Sequence, residues 1–181
     1  GSGLFQHGVA SGDPLADRVI LWTRVTPAGS GSVALECVVA TDATFSTVVV
    51  TRTLSTDATV DYTVKTDVAG LQPETTYYYR FSSAGTTSPI GRTRTLPAGT
   101  ATRLRLAVVS CSNLAQGYFN AYRRVAERAD LDLVLHLGDY IYEHGARSGD
   151  VRIHEPAVEI ITLSDYRTRY AQYRRDLDLQ E

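Results

Sequence analysis

The sequence predicts two folds in succession: an antiparallel β-sandwich over residues 1–98 and part of an α/β domain over residues 99–181. Three observations lead to this prediction. The first half holds short runs of β-forming residues separated by Gly, Pro, Asp or Ser, without a helical period. Residues 97–102 form a Pro- and Gly-containing junction. After the junction, two continuous apolar runs flank a segment of helical periodicity.

The first half has the strand spacing of a sandwich of roughly seven strands and about 100 residues. Turn-forming residues bound the first run, with Asp13-Pro14 before it and Pro27-Ala28-Gly29 after it. Cys37 lies in the second run, where side-chain alternation predicts a small buried hydrophobic residue. The predicted strands cover residues 19–25, 33–40, 47–53, 61–68, 75–81 and 90–96.

Residues 71–81 read Leu-Gln-Pro-Glu-Thr-Thr-Tyr-Tyr-Tyr-Arg-Phe. This segment resembles the fibronectin type III pattern, in which a Tyr that follows a Leu-Pro corner ties its hydroxyl back to the main chain. The resemblance implies that Tyr77 is the corner residue and that Trp22 is the core tryptophan. We therefore interpret these aromatic side chains as packing residues, and not as a platform for a carbohydrate or another ligand.

The second half predicts a strand–helix–strand unit. Residues 104–109 and 131–137 are apolar runs that we interpret as buried strands, and residues 118–128 have apolar side chains at helical spacing. An intervening segment of about 20 residues allows a crossover, so the strands are expected to be parallel with a right-handed connection. A polar loop over 145–153 and a helix over 165–175 follow, and we expect the tyrosines of that helix to pack inward and its arginines to be exposed.

Both apolar runs of the second half end in polar side chains. The first is followed by Ser110-Cys111-Ser112-Asn113 and the second by Gly138-Asp139-Tyr140-Ile141-Tyr142-Glu143. Ligands of open α/β sheets bind beyond the carboxyl ends of the strands, which is where these side chains are expected to lie. A thiol, a carboxylate and a phenol can all bind metal, so the pattern predicts a metal-containing active site at this edge.

Four segments in this order resemble the PhoD-like family, which contains secreted alkaline phosphatases/phosphodiesterases and actinobacterial phospholipases D. They are residues 5–14, 21–24, 110–112 and 138–143, and the resemblance runs over essentially the whole chain. It implies that the second half is the N-terminal part of a calcineurin-like metallophosphatase domain. Related enzymes carry Asp-x-His on the first strand and Gly-Asp-x-x-Asp on the second. Here Cys111 replaces the first cluster and Tyr142 replaces the second Asp.

These two replacements bear on the choice of metal. A free phenol has a pKa of about 10 and a free thiol of about 8.5, so both need a strongly polarising cation to ionise at neutral pH. Ferric iron meets this demand better than Zn²⁺ or Mg²⁺. The resemblance likewise implies Fe³⁺ held by Cys111, Asp139 and Tyr142, with Ca²⁺ or another divalent ion beside it and Asp139 as the bridging, catalytic ligand.

The resemblance also implies an activity. Paired metals would activate a water molecule for attack on phosphate esters, most of all phosphodiesters, in a reaction of the phospholipase D or alkaline phosphatase D type. The substrate would be a phosphate ester or a phospholipid. Asn113, Glu143 and His144 lie beside the expected ligands and are candidates for substrate contact or for support of the ligands.

Each expected ligand also has an alternative interpretation. Asp139 could cap a turn after its strand, and Tyr142 could be a loop aromatic residue that rests on the core. Cys111 could be an inert buried thiol or form a disulfide with Cys37.

The histidines need separate interpretations. We interpret His136 as a packed residue or one that supports the ligands, and His7 as structural. His154 lies in the loop after the site, and the sequence leaves open whether it contacts substrate.

Composition narrows the partners and the compartment. With 43% hydrophobic and 21% charged residues, the 181-residue chain is typical of a soluble globular protein. No run approaches the roughly 18 apolar residues of a transmembrane segment. A net charge of −2 argues against a nucleic-acid-binding surface. The resemblance implies a secreted, extracellular protein, and Gly1-Ser2-Gly3 is interpreted as a cloning remnant or the start of a mature chain.

Two parallel strands and two helices cannot bury a sheet on both faces. We therefore expect residues 99–181 to need the remaining C-terminal part of the same enzyme, as a separate chain or as further sequence, for stability and for the missing metal ligands. The alternative is a non-catalytic β-sandwich binding module that carries an inactive α/β segment. The apolar strands that end in Cys111 and Asp139 favour the enzyme, because a binding module has no need of them.

Overall fold

The computed structural model describes residues 3–181, so most of the segment Gly1–Gly3 lies outside the described residues. The chain forms two compact units, of which the first ends at Thr102 and the second runs from Arg103 to Glu181. The sequence predicts the domain boundary between residues 98 and 99, a few residues before this division. That boundary stays a prediction. The strands of the first unit are β1 (Val9–Gly12), β2 (Arg18–Arg24), β3 (Val33–Ala40), β4 (Val48–Thr56), β5 (Thr63–Ala69), β6 (Thr76–Ser83), β7 (Thr86–Thr87) and β8 (Gly91–Arg94).

The first unit consists of two antiparallel sheets that share one core. One sheet has the order β1-β2-β5, and the other has the order β4-β3-β6 with β7 and β8 both pairing with β6. The predicted β-sandwich is confirmed, while its fibronectin type III-like character stays a prediction. The buried hydrophobic residues of both sheets and their loops are Phe5, Val9, Val19, Leu21, Val25, Leu35, Cys37, Val39, Val64, Val68, Leu71, Tyr77, Tyr79 and Phe81.

Two residues of the sandwich behave as the sequence predicts. The hydroxyl of Tyr77 accepts a hydrogen bond from the main-chain N–H of Gln72 at 2.8 Å, which is the expected tie at the corner. Cys37 is fully buried, and burial raises the pKa of its thiol to about 12. Both Cys37 and Cys111 are free, so the disulfide alternative is wrong. Cys111 is also exposed, which excludes the inert buried thiol.

The prediction that Trp22 is the core tryptophan is wrong. Along β2, Val19, Leu21 and Thr23 are buried, so the side chains of this strand alternate with Trp22 on the other face. Trp22 is half-buried there, between its strand partners Ala10 and Lys65. The phase of the alternation, rather than the size of the indole, decides which face it occupies.

The N-terminal histidine is a structural residue, as the sequence predicts. His7 is 2% exposed, and Nη1 of Arg24 lies 3.2 Å from its Nε2. Arg24 in turn donates to both carboxylate oxygens of Asp61, at 3.0 and 2.9 Å. A charge-assisted, bidentate pair of this kind fixes the guanidinium against the histidine.

The second unit contains the predicted strand–helix–strand unit. Its two strands pair in parallel, with His136 opposite Val109 at their carboxyl ends. The helix Leu163–Arg174 begins with a capping box, in which Thr162 and Asp165 accept from each other's main-chain N–H groups. The elements are β9 (Leu106–Val109), α1 (Asn120–Ala126), β10 (Leu133–His136), α2 (Leu163–Arg174) and the short α3 (Leu177–Gln180), which the sequence did not predict.

The prediction that these two strands are buried is wrong for the described residues. Leu106 is 44% exposed, Val108 is 58% exposed, and Leu137, just after β10, is 71% exposed. A parallel sheet normally has layers on both faces, and two strands with short helices cannot supply them. The apolar runs therefore predict the strands correctly. They do not show which part of the protein packs on the faces of the sheet. Among the described residues, no helix is both long and apolar enough to cross a bilayer.

Candidate metal centre

The loops that follow β9 and β10 are joined by main-chain hydrogen bonds. Cys111 N–H donates to the carbonyl of Gly138 at 3.1 Å, and Ser112 N–H donates to the carbonyl of Asp139 at 2.8 Å. Cys111 and Asp139 both have left-handed backbones, with φ of 59° and 53°. Such conformations are costly for residues with a side chain and persist where the surroundings hold them. The two loops thus present the Cys111 and Asp139 side chains from fixed positions.

The structure brings together the three side chains that the sequence predicts as metal ligands. Oδ2 of Asp139 lies 3.7 Å from Sγ of Cys111 and 3.3 Å from the hydroxyl oxygen of Tyr142. The thiol and the phenol both donate to this one carboxylate oxygen. The alternative roles of Asp139 as a turn cap and of Tyr142 as a packing residue do not explain this convergence.

The surroundings of Tyr142 strongly disfavour its phenolate. Burial, followed by the nearby Cys111 and Asp139, raises the pKa of Tyr142 to about 12. Without a compensating cation, the phenol therefore stays protonated at neutral pH. Among the described residues, no group of three or more His, Cys, Asp and Glu side chains is placed to hold a metal ion. A three-donor set at this position consequently requires Tyr142.

Asn113 and His144 contact each other at the side of this group. Asn113 Nδ2 donates to His144 Nε2 at 3.3 Å, and the other ring nitrogen of His144 donates to the carbonyl of Gly145 at 2.9 Å. Oδ1 of Asn113 accepts from Ala115 N–H at 3.1 Å and so caps the 3₁₀ turn Leu114–Gln116. The rings of His144 and Tyr142 have centroids 6.0 Å apart, so this pair lies beside the phenol.

Glu143 is directed differently. Its side chain is exposed, and Oε1 accepts a hydrogen bond of 3.4 Å from the hydroxyl of Tyr166 on α2. The carbonyl of Glu143 accepts from Ile160 N–H at 3.0 Å. The described contacts of Glu143 therefore join the loop to α2, and a role toward substrate stays a prediction.

A polar cluster supports the site from inside, and the sequence did not indicate two of its members. Nε2 of His136 lies 2.9 Å from Oγ of Ser112 and 3.0 Å from the hydroxyl of Tyr122, which also contacts Ser112. We assign the ring proton to Nε2 because Nδ1 accepts from Gly138 N–H at 3.2 Å. His136 is thus packed, as predicted. Its pKa is lowered, mainly by burial, which favours the neutral ring.

His154 does not reach a substrate site, although the sequence leaves that role open. It is 1% exposed, its Nδ1 donates to the carbonyl of His144 at 3.1 Å, and its Nε2 lies 3.3 Å from the hydroxyl of Tyr173. That hydroxyl also accepts from Leu114 N–H at 3.1 Å. His154 and Tyr173 therefore connect the loop after β9, the loop after β10 and α2.

The expectation that the arginines of α2 are exposed is wrong for two of them. Arg169 is fully buried and Arg174 is 6% exposed, whereas Tyr166, expected to pack inward, is 36% exposed. Helical spacing alone did not indicate this, because the partners of Arg169 are main-chain carbonyls of the loop before the helix. Tyr173 packs inward as predicted.

The comparisons with known proteins agree over almost the entire chain. Residues 1–97 match the family described as PhoD-like phosphatase, N-terminal domain, and residues 106–181 match PhoD-like phosphatase. Alkaline phosphatase D of Bacillus subtilis strain 168 is 44% identical over 190 residues, covering 97% of this chain and 32% of its own length. A solved structure of PhoD has 42% identity and a TM-score of 0.92, covering 99% of this chain and 37% of its own. The chain thus spans about a third of the length of these relatives.

Proposed function

The chain belongs to the PhoD-like phosphatase family, and from this premise we propose that it contributes part of the active site of a metal-dependent phosphoesterase. The β-sandwich, residues 1–98 in our proposal, carries none of the proposed ligands. Residues 99–181 carry Cys111, Asp139 and Tyr142. The remaining ligands and the cover of the exposed sheet would come from sequence equivalent to the additional length of the relatives, as further sequence or as a separate chain.

The observation that carries this proposal is the approach of a thiol and a phenol to one carboxylate oxygen, at 3.7 and 3.3 Å. Three groups that become anions on ionisation repel one another unless a cation lies among them. Two of them stand on backbones held in the left-handed region, as is common at functional sites. A packing role for these side chains would require none of these features.

The donor set, a thiolate, a carboxylate and a phenolate, fits a highly charged and strongly polarising cation. Cys111, Asp139 and Tyr142 would hold Fe³⁺, and Asp139 would also contact a neighbouring Ca²⁺ or other divalent ion. When bound, such metals supply Lewis-acid polarisation of a phosphoryl oxygen and a nucleophile at neutral pH. The raised pKa of Tyr142 explains why a weakly polarising ion would be a poor match for this set.

The residues of the chain have distinct parts in this proposal. Asp139 offers a carboxylate that two ions can share. The amide of Asn113 and the ring of His144 lie beside Tyr142 and would contact phosphoryl oxygens or keep the phenol in place. Glu143 would act through the position of the loop, since its carboxylate contacts Tyr166. Removing the metal clamp is expected to reduce the rate at least about 10³-fold.

The substrate class remains part of the proposal. Both candidate activities, of the alkaline phosphatase D type and of the phospholipase D type, act on phosphate esters. The name of the B. subtilis relative, alkaline phosphatase D, favours the first type. Phosphodiesters, phospholipids included, are the substrates to compare with it. We also propose that the protein acts outside the cell, since the resemblance to secreted enzymes suggests this.

Metal analysis together with a visible absorption spectrum of the full-length protein tests the site. An iron-containing protein with a phenolate-to-iron charge-transfer band is expected, and Tyr142→Phe is expected to abolish or shift that band. Tyr140→Phe is the matched control, because Tyr140 is two residues away and contacts the rings of His136, Tyr170 and Tyr173. A colourless, iron-free and fully active enzyme would refute the ligand assignment.

Kinetics tests the substrate class separately. Rates on phosphatidylcholine, a soluble phosphodiester and a soluble phosphomonoester should be compared for the same metal-loaded preparation. A preference for the soluble esters supports the alkaline phosphatase D type, and a preference for phosphatidylcholine supports the phospholipase D type. Absence of hydrolysis of all three would contradict the proposed phosphoesterase activity.

A further inference from the structure

The fully buried Arg169 of α2 uses all of its hydrogen-bond donors on main-chain carbonyls. A guanidinium has five N–H groups in a fixed fork and accepts no hydrogen bonds. Here Nε donates to one carbonyl, Nη1 to two and Nη2 to two. The acceptors are the carbonyls of Glu155 at 3.1 Å, Tyr142, His144 at 3.3 Å, Pro156 at 2.7 Å and Val158 at 3.3 Å.

These five carbonyls belong to the two ends of one loop. The residues that follow β10 supply two of them, and residues 155–158 supply the other three. The two ends also touch directly: Ala146 N–H donates to Ala157 O at 2.7 Å, and a Cβ on Gly145 would lie 2.8 Å from the same carbonyl oxygen. Arg169 therefore lies where both ends of the loop turn their carbonyls inward.

A buried charge costs free energy unless its hydrogen bonds are satisfied. Arg169 avoids that cost only with the loop in this conformation, and the loop carbonyls avoid desolvation only with Arg169 present. The guanidinium and the loop thus stabilise each other. One of the five acceptors is the main-chain carbonyl of Tyr142 itself. Arg169 therefore holds the backbone of the residue that carries the phenol.

We propose that Arg169 is a positioning residue of the site, which holds Tyr142 and His144 in place by clamping the loop between residues 142 and 158 onto α2. The proposal rests on the proposed function, since it gives Tyr142 its importance. In the described contacts, the Arg169 side chain binds main-chain carbonyls and does not touch the side chain of Asp139. Its effect passes through the main chain of Tyr142, whose hydroxyl must stay near Asp139, 3.3 Å away.

The test uses the full-length protein with Arg169→Met and Arg169→Lys. Arg175→Met is the matched control, because this exposed arginine at the end of the same helix contacts the same loop through the Glu155 side chain alone. Hydrogen exchange of residues 143–158 is measured in the metal-free protein. The visible band, kcat and KM are measured after metal is restored.

In Arg169→Met we expect exchange of this loop to rise at least about tenfold, the band to shift and kcat to fall roughly 10²-fold with a smaller change in KM. Lysine has three donors for five carbonyls, so Arg169→Lys should show the same changes with smaller amplitude. If the methionine variant does not fold, the lysine variant is used for the test. Arg175→Met should match the unaltered protein in all readouts.

Two results would overturn the proposal. One is unchanged loop exchange in both Arg169 variants. The other is increased exchange with the band and kcat of the unaltered protein, since a merely structural clamp would behave in this way. Tyr142→Phe separates this failure from that of the proposed function: an unaltered band and kcat in that variant would show the site assignment to be wrong, whatever Arg169 does.

Discussion

The hydroxyl of Tyr142 donates a hydrogen bond to Oδ2 of Asp139, which lies three residues earlier and 3.3 Å away. The thiol of Cys111 approaches the same oxygen from the neighbouring strand end at 3.7 Å. While the phenol and the thiol are protonated, they stabilise the carboxylate. Once they ionise, the three groups repel one another, and a cation becomes necessary to keep them together.

Asp139→Asn should lower the pKa of Tyr142 in the metal-free protein from its raised value of about 12. The asparagine has no charge, so one of the causes that disfavour the phenolate disappears. The ultraviolet absorbance of phenolate, titrated against pH and corrected with a Tyr142→Phe background, measures this change. The same variant should bind less iron. An unchanged titration curve would contradict the electrostatic coupling between the two residues.

Ser112→Ala and Tyr122→Phe should be non-additive. Each single variant leaves His136 Nε2 with one of its two partners, at 2.9 or 3.0 Å, and should cost about 1 kcal/mol of unfolding free energy. The double variant leaves a half-buried N–H without these partners, at a cost of about 1–3 kcal/mol. This cost should outweigh the Ser112–Tyr122 hydrogen bond, which both single variants lose, so the double variant should cost more than the sum of the two. Urea unfolding of the four proteins gives the coupling energy. Simple additivity would mean that water replaces the missing partners.

The strands of the second unit and the chemistry at their ends could be predicted from the sequence because both depend on local patterns. An apolar run indicates a strand, and polar residues directly after it must lie at the edge of the sheet. The pairing of β9 with β10 then places Cys111 next to Asp139. The contact of Tyr142 with Asp139 also follows from short separation along the chain.

Other features depend on relations that the sequence pattern does not contain. The burial of Arg169 depends on five main-chain carbonyls, which have no signature in side-chain composition. Trp22 looks like a core residue by size, but the register of β2 places it on the other face. The exposure of Val108 depends on what covers the sheet and not on the strand itself.

The buried ring of His154 should make stability depend on pH. Burial, followed by the charge of Arg169, lowers its pKa from the ordinary value of 6.5. The unfolded chain therefore takes up the proton first, so the full stabilisation is present above about pH 6.5 and is lost as the pH falls through the lower folded-state pKa. Protonation would also displace the Tyr173 hydroxyl as a donor to Nε2.

His154→Asn tests this dependence, since the amide keeps a donor near the position of Nδ1 but does not titrate. The variant should be less stable near neutral pH, and its free energy of unfolding should fall less steeply below about pH 6.5 than that of the unaltered protein. Urea unfolding at several pH values measures both slopes. His136 titrates in both proteins, so the difference between the slopes belongs to His154. Identical slopes would contradict the prediction.

Gly91→Ala should destabilise the β-sandwich by about 1–3 kcal/mol through overpacking. Gly91 is the strand partner of Tyr79, and a Cβ at this position would lie 2.2 Å from Cζ of that tyrosine. The ring is 2% exposed and cannot move aside without disturbing the core. Gly12→Ala is the matched control, because nothing lies within 4 Å of a Cβ there, and it should change stability by less than about 0.5 kcal/mol.

Tyr79→Leu combined with Gly91→Ala should cost less than the sum of the single changes, because the leucine removes the atoms that clash. Urea unfolding of the four variants and the unaltered protein measures these differences, and equal costs for Gly91→Ala and Gly12→Ala would show that the ring does not pack on the glycine.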